Sequence, residues 1–203
     1  MSFSAGSLEI PRHSAGDSAQ LAGPEISVVI TVRNDEDQIG HHVRRIAAHL
    51  RSLGRTFEIV AVNDGSRDNS LSILELVAAT SPWLRIARAN VAGRAYLRGA
   101  GEARGSILLL IEGAKHPSLA PLGWALSRLA AGREAVILRG RYIVARRLLA
   151  LPIIVRATGP SLLFERIFER RAEDLGIDVV GSRPVAHTGT RRLLAPFLRF
   201  LAV

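Results

Sequence analysis

Ile26–Ile39 reads ISVVITVRNDEDQI and Phe57–Ser70 reads FEIVAVNDGSRDNS, and the two stretches share one plan. Each begins as a continuous apolar, β-branched run and ends in a cluster of Asn, Asp, Gly, Ser and Arg. A strand covered by helices on both faces is apolar throughout rather than alternating, as in a parallel sheet. The polar cluster that follows is then a loop at the carboxyl edge of that sheet, where open α/β sheets bind ligands. The first loop carries Arg33, Asn34, Asp35 and Asp37, and the second Asn63, Asp64, Gly65, Ser66, Arg67 and Asp68. Side chains of these types can hydrogen-bond a base and ribose and contact phosphates.

Working outward, Ile39, Val43, Ile46, Ala47 and Leu50 recur at helical spacing, which predicts a helix over Asp35–Leu53 stopped by Gly54. His41 and His42 read as exposed residues of that helix. A second helix is expected over Ser70–Thr80, with Asp68 as its cap and Ser81-Pro82 as its end. Leu84–Ala89 follows as a short strand, and Ala92–Arg104 as a helix opened by a glycine loop. Ser106–Ile111 is a buried strand that runs into Glu112, and Pro117–Ala131 is a helix. This alternation predicts a doubly wound, mostly parallel sheet in a single α/β domain. Beyond it, Glu134–Arg139 reads as a strand, and Tyr142–Arg156 as a basic amphipathic helix or a helix–strand pair. Ser161–Leu175 reads as a helix, Gly176–Gly181 holds a short strand, and Arg191–Val203 is apolar with basic punctuation. Residues 1–24, rich in Ser, Ala and Gly, read as a flexible tail before a domain over 25–203.

At 203 residues, 48% of them hydrophobic, the chain can bury a substantial core. Its longest apolar run, Leu148–Val155, is far short of the roughly 18–20 residues that cross a bilayer and contains Pro152. The start lacks the pattern of a secretory signal, so a cytoplasmic location is expected. There is no cysteine, which excludes disulfides, thiolate metal sites and cysteine nucleophiles. No His/Glu spacing fits zinc. The net charge is +9, carried almost wholly by arginine, with Lys115 the single lysine. Such a charge suits an anionic partner: a nucleotide-sugar or an acidic membrane surface. Nucleic acid is not expected, because no aromatic residues interleave with the basic ones as a base-stacking platform would require. Arg146, Arg147, Arg156 and the Arg191–Arg199 stretch have two readings: binding to acidic lipid head groups, or a core helix with a solvated basic rim.

Taken in order, four stretches resemble family 2 glycosyltransferases, which have the GT-A, Rossmann-like nucleotide-diphospho-sugar transferase fold. ISVVITVRNDEDQI is similar to the family's first strand and loop, and FEIVAVNDGSRDNSLSIL to its second. NVAGRAYLRGAGEARGSILLLIEG is similar to its third segment, and ERRAEDLGIDVVGSRPVAHTGTRR to its late one. The resemblance implies a nucleotide-sugar-binding half over 25–117 and an acceptor half over 118–203. It implies that Thr31, Arg33 and Asp35 line the nucleotide pocket, that Asn63 and Asp64 hold base and ribose, and that Arg94 sits near base or phosphates. Glu112 falls at the first position of the family's Asp-x-Asp metal motif, and would help hold Mg²⁺ or Mn²⁺. Here the motif is Glu112-Gly113-Ala114, without the second carboxylate. Lys115 and His116 follow, and a cation there could neutralise a departing diphosphate without metal. Glu165 falls near the family's catalytic base, and His187 near a late histidine close to the diphosphate. Read without the resemblance, Glu165 and Glu169 form a solvated helix face and His187 is a loop residue. The function implied is transfer of a sugar from a nucleotide diphosphate to an acceptor hydroxyl in polysaccharide, glycolipid or cell-envelope synthesis, with an acceptor that is lipid-linked in many relatives. The alternative is an inactive nucleotide-sugar-binding module that regulates or scaffolds a partner.

Overall fold

The structure, a computed structural model, describes residues 23–89, 91, 94–112, 116–156 and 176–180. In chain order the elements are β1 Ile26–Val32, α1 Ile39–Ser52, β2 Phe57–Asn63, α2 Ser70–Ala78, β3 Leu84–Arg88, α3 Ala95–Glu102 and β4 Ile107–Glu112. They continue with α4 Leu122–Ala130, β5 Ala135–Leu138, β6 Tyr142–Arg146, α5 Arg147–Arg156 and β7 Ile177–Val180. The strands form one seven-stranded sheet in the order β3-β2-β1-β4-β6-β5-β7. β3, β2, β1 and β4 are mutually parallel. β6 lies antiparallel to both β4 and β5, and β7 is parallel to β5.

Successive side chains of a strand point to opposite faces, and the apolar runs therefore feed two cores. Ile26, Val28, Ile30, Ile59, Ala61, Leu109 and Ile111 pack with α1, α2 and α4. Val29, Val60, Val62, Leu108 and Leu110 pack with α3 and α5. The sheet sits between them, as the apolar runs of β1 and β2 predict. α3 lies close against its face. A Cβ on Gly99 would come within 2.3 Å of Val29 Cγ1 and 2.9 Å of Val62 Cγ2, so only glycine allows this approach.

Buried polar groups at the other end of the sheet are knitted together. Ser27 Oγ donates to Glu58 Oε1 at 2.7 Å and accepts the Gly105 N–H at 2.7 Å. The same Glu58 oxygen accepts the Arg104 N–H at 2.7 Å, and Arg85 meets Glu58 Oε2 at 3.2 Å. Glu58 is buried with its charge paired and its oxygens bonded, the condition under which a buried carboxylate is tolerated.

Several expectations shift. The first helix begins at Ile39, not Asp35. Asp35 O accepts the N–H of both Gln38 and Ile39, while the N–H groups of Asp35 and Glu36 turn to Ser70 Oγ and Asp68 Oδ2. His42 is fully buried, because it shares the inward stripe of Ile39, Val43 and Ile46. His41 is exposed, as expected. Tyr142–Arg156 is a strand followed by a helix. The helix expected over Ser161–Leu175, the Arg191–Val203 stretch, and Lys115, Glu165 and His187 lie outside the described residues.

Candidate functional site

After β1 the chain moves outward through β2 and β3, then returns across β1 to lay down β4 on its other side. That reversal opens a crevice at the carboxyl ends of β1 and β4, the place where open α/β sheets take ligands. Thr31 is opposite Glu112 across this switch point and opposite Val62 on the other side. By strand alternation Thr31 and Glu112 share the face on which α3 packs. Val32 is paired with Asn63, and the Asp64 N–H bonds to Val32 O at 2.8 Å. Arg94 precedes α3 and is exposed, as is Arg33. The structure thus gathers Thr31, Arg33, Asp35, Asn63, Asp64 and Glu112 at one sheet edge, with Arg94 at the start of the helix packed beneath that edge.

The two polar loops are laced to each other. Asn34 N–H bonds to Ser66 Oγ at 3.2 Å, and Asn34 Oδ1 accepts the Arg67 N–H at 2.8 Å. Asp35 N–H bonds to Ser70 Oγ at 2.8 Å, Glu36 N–H to Asp68 Oδ2 at 3.0 Å, and Asn69 N–H to Glu36 Oε2 at 2.8 Å. Asp68 also accepts the Ser70 N–H and hydroxyl through Oδ1, so it ties the start of α2 from one residue before the N-cap, Asn69, whose side chain makes no cap bond, while gripping the first loop. Those donors hold the Asp68 carboxyl below its ordinary pKa. Asn34 has φ 50° and Gly65 φ 77°, left-handed conformations suited to Asn and Gly.

This lacing divides the side chains by task. Asn63 Oδ1 accepts the Ser66 N–H at 2.9 Å and closes the second loop on itself. Asp64 Oδ1, by contrast, is buried and has no hydrogen-bond partner among the described residues. Asp35 Oδ2 shares that state, so each of the two loops keeps one carboxylate oxygen that the described residues leave without a donor.

The loop after β4 is tied to the same platform. His116 Nε2 lies 3.0 Å from Asp35 Oδ1, its ring stands 4.4 Å from that of His42, and Arg45 donates to the carbonyls of His116 and Pro117. Asp35 is 8% exposed, and burial raises its carboxyl above the ordinary 3.8 although the His116 ring pulls it down. Neither His42 nor this tie was evident as a site feature from sequence. Heptad-like counting along α1 does place position 42 inward with Ile39 and Ile46, and that was the available signal.

A divalent cation is poorly provided for. Glu112 is followed by Gly113 and Ala114 rather than a second carboxylate, and among the described residues no group of three acidic or histidine side chains is placed to hold a metal ion. One carboxylate would leave nearly every position around Mg²⁺ or Mn²⁺ to phosphate and water.

A sequence model described as "Glycosyl transferase family 2" matches residues 27–113, the stretch that builds β1 to β4 and both laced loops. The likeness to glycosyl transferase family 2 thus covers 87 of the chain's 203 residues. Over 91 residues the chain is 38% identical to the undecaprenyl-phosphate 4-deoxy-4-formamido-L-arabinose transferase of Pseudomonas paraeruginosa. That match covers 43% of this chain and 27% of the relative, so the chain spans about a quarter of the length of the curated relatives it matches. Among solved structures, glucosyl-3-phosphoglycerate synthase from Mycobacterium tuberculosis, in complex with Mn²⁺, UDP and phosphoglyceric acid, is similar at TM-score 0.59 and 18% identity, over 88% of this chain and 78% of that one. A mannosyltransferase from Pyrobaculum calidifontis, in complex with GDP-Man and Mn²⁺, is similar at TM-score 0.60 and 18% identity, over 89% of this chain and 61% of that one. The fold around the family 2 segment is therefore the GT-A fold. No helix among the described residues is long and apolar enough to cross a membrane.

Proposed function

We propose that this chain binds a nucleoside-diphosphate sugar at the β1/β4 crevice and passes the sugar to an acceptor oxygen, in the synthesis of a lipid-linked or other cell-envelope saccharide. The observation that carries the reading is Asp64: a buried carboxylate oxygen without a partner among the described residues, at the switch point of a family 2 segment. A pyrimidine or purine ring N–H would complete it. Solved GT-A neighbours hold UDP or GDP-mannose, and curated relatives are named for undecaprenyl phosphate, which supports a nucleotide donor and a lipid-linked acceptor. A cytoplasmic location, peripheral at the inner face of the membrane, follows from such an acceptor.

In the transfer, the acceptor oxygen bonds to the anomeric carbon as the bond from that carbon to the diphosphate breaks. A hydroxyl acceptor gives its proton to a carboxylate, and we assign Glu165 that role. A phosphate acceptor is already anionic near neutral pH and needs no such base. Charge on the departing diphosphate falls to Arg94, Lys115 and His187. Asn63 and Asp64 hold base and ribose, while Thr31, Arg33, Asp35 and Glu112 shape the crevice.

The test is calorimetric titration with UDP, GDP and their sugar conjugates, with and without Mn²⁺, on the native chain and on D64A and E165A. D64A should abolish nucleotide binding. E165A should bind nucleotide normally and lose turnover with a hydroxyl acceptor. Retained turnover would remove Glu165 as the base. Because Glu112 lacks the second motif carboxylate, a non-catalytic nucleotide-sugar-binding module is the second reading, and binding without turnover on any acceptor would select it.

A further inference from the structure

α5 is apolar on two sides. Its inner side buries Ala150, Ile153 and Ile154 against Leu108, Leu110, Ile143 and Ala145. Its outer side leaves Leu148 89% exposed and Val155 59% exposed, with Pro152 also exposed between them. Seven residues are close to two helical turns, so Leu148 and Val155 stand on one face about 10 Å apart. An ordinary surface helix carries polar side chains there.

The segment that carries this face is one-sided in charge. From Ala135 to Phe164 the sequence has five arginines (Arg139, Arg141, Arg146, Arg147 and Arg156) and no Asp or Glu. Arg156 closes the helix and is exposed, whereas Arg146, just before it, turns to the opposite helix layer, donating to Leu129 O at 2.8 Å with Glu134 3.7 Å away. A second copy of this chain would bring the same cationic segment against itself, which like charges oppose. An anionic bilayer surface complements it: apolar side chains enter the acyl boundary while guanidinium groups meet phosphates.

We infer that the outer face of α5, centred on Leu148 and Val155 and rimmed by Arg156, seats the protein on an anionic lipid surface. This deepens the reading of a lipid-linked acceptor and rests on it only for the presence of a bilayer. Seating confines the chain to the surface where such an acceptor resides, so that encounter needs only lateral diffusion.

The test is flotation of the full chain with vesicles of phosphatidylcholine alone or with phosphatidylglycerol added, without nucleotide or acceptor. It therefore reads seating whether or not the chain transfers sugar. Binding is expected only with phosphatidylglycerol, and should weaken as salt rises to about 0.5 M. The neutral double variant L148S/V155S alters only exposed side chains; with an unchanged circular dichroism spectrum, it should bind about tenfold less. R156E should also weaken binding. No flotation with phosphatidylglycerol, or equal flotation of L148S/V155S, overturns the proposal. So does concentration-dependent self-association that the double variant abolishes, because a second copy would then be the occupant.

Discussion

Asp35 shows how one carboxylate can be spent on architecture inside a candidate ligand site. It is buried, it meets His116 from the loop after β4, and its backbone N–H is bound by Ser70. Burial, the larger influence, raises its pKa above 3.8, and the imidazole lowers it by less. A carboxyl that holds its proton more readily when folded subtracts stability as pH rises from 3.8 through the raised value. D35N keeps an oxygen for His116 and removes the titration. The stability of D35N, measured by urea unfolding at a series of pH values, should therefore rise relative to that of the native chain as pH increases across that window. An equal slope in both would show that Asp35 does not titrate there. The residue types at the site were legible because Asn, Asp, Gly and Ser cluster at strand ends for backbone reasons that sequence exposes. Their division of labour was not legible. Whether Asn63 or Asp64 turns inward on its own loop depends on which N–H groups the neighbouring loop presents, and that is a matter of three dimensions.

At the level of elements, α3 is positioned by what Gly99 lacks. G99A would place a methyl group 2.3 Å from Val29 Cγ1, on a strand held by both neighbours, so the helix must lift. The expected loss is about 1–3 kcal/mol, offset in part by alanine's better helix propensity. A lower denaturation midpoint with an unchanged m-value checks it. Arg94 travels with α3, so nucleotide affinity should fall in the same variant. The strands were legible from their unbroken apolar runs, and the parallel core followed from strand–helix alternation. Tyr142–Arg156 left a helix or a helix–strand pair open, because an apolar stretch with arginines at both ends suits either. Its outcome turned on β4: the Ile107–Ile111 edge required a partner, and Tyr142–Arg146 supplies it antiparallel. α5 then satisfies both readings of its arginines in part, with a core-facing side and an outer side that is apolar.

For the whole molecule, the family 2 segment builds four adjacent strands, β3-β2-β1-β4, and the remaining described strands extend the sheet from β4 alone. The laced loops after β1 and β2 and the clasp from His116 mean that these loops are held by the chain's own contacts, which lowers the ordering cost of any ligand that meets them. The reversed strand β6 has a further consequence, for the chain's solubility. Without it, the backbone groups of ILLLI, five apolar residues with no charge before Glu112, would face water as an open template for strands of other molecules. A fragment ending at residue 116 keeps the whole family 2 segment and both laced loops. It should nevertheless scatter light and sediment as aggregate at concentrations where the full chain stays clear. β6 thus also serves as a guard strand, protecting the four strands of the family 2 segment from their own kind.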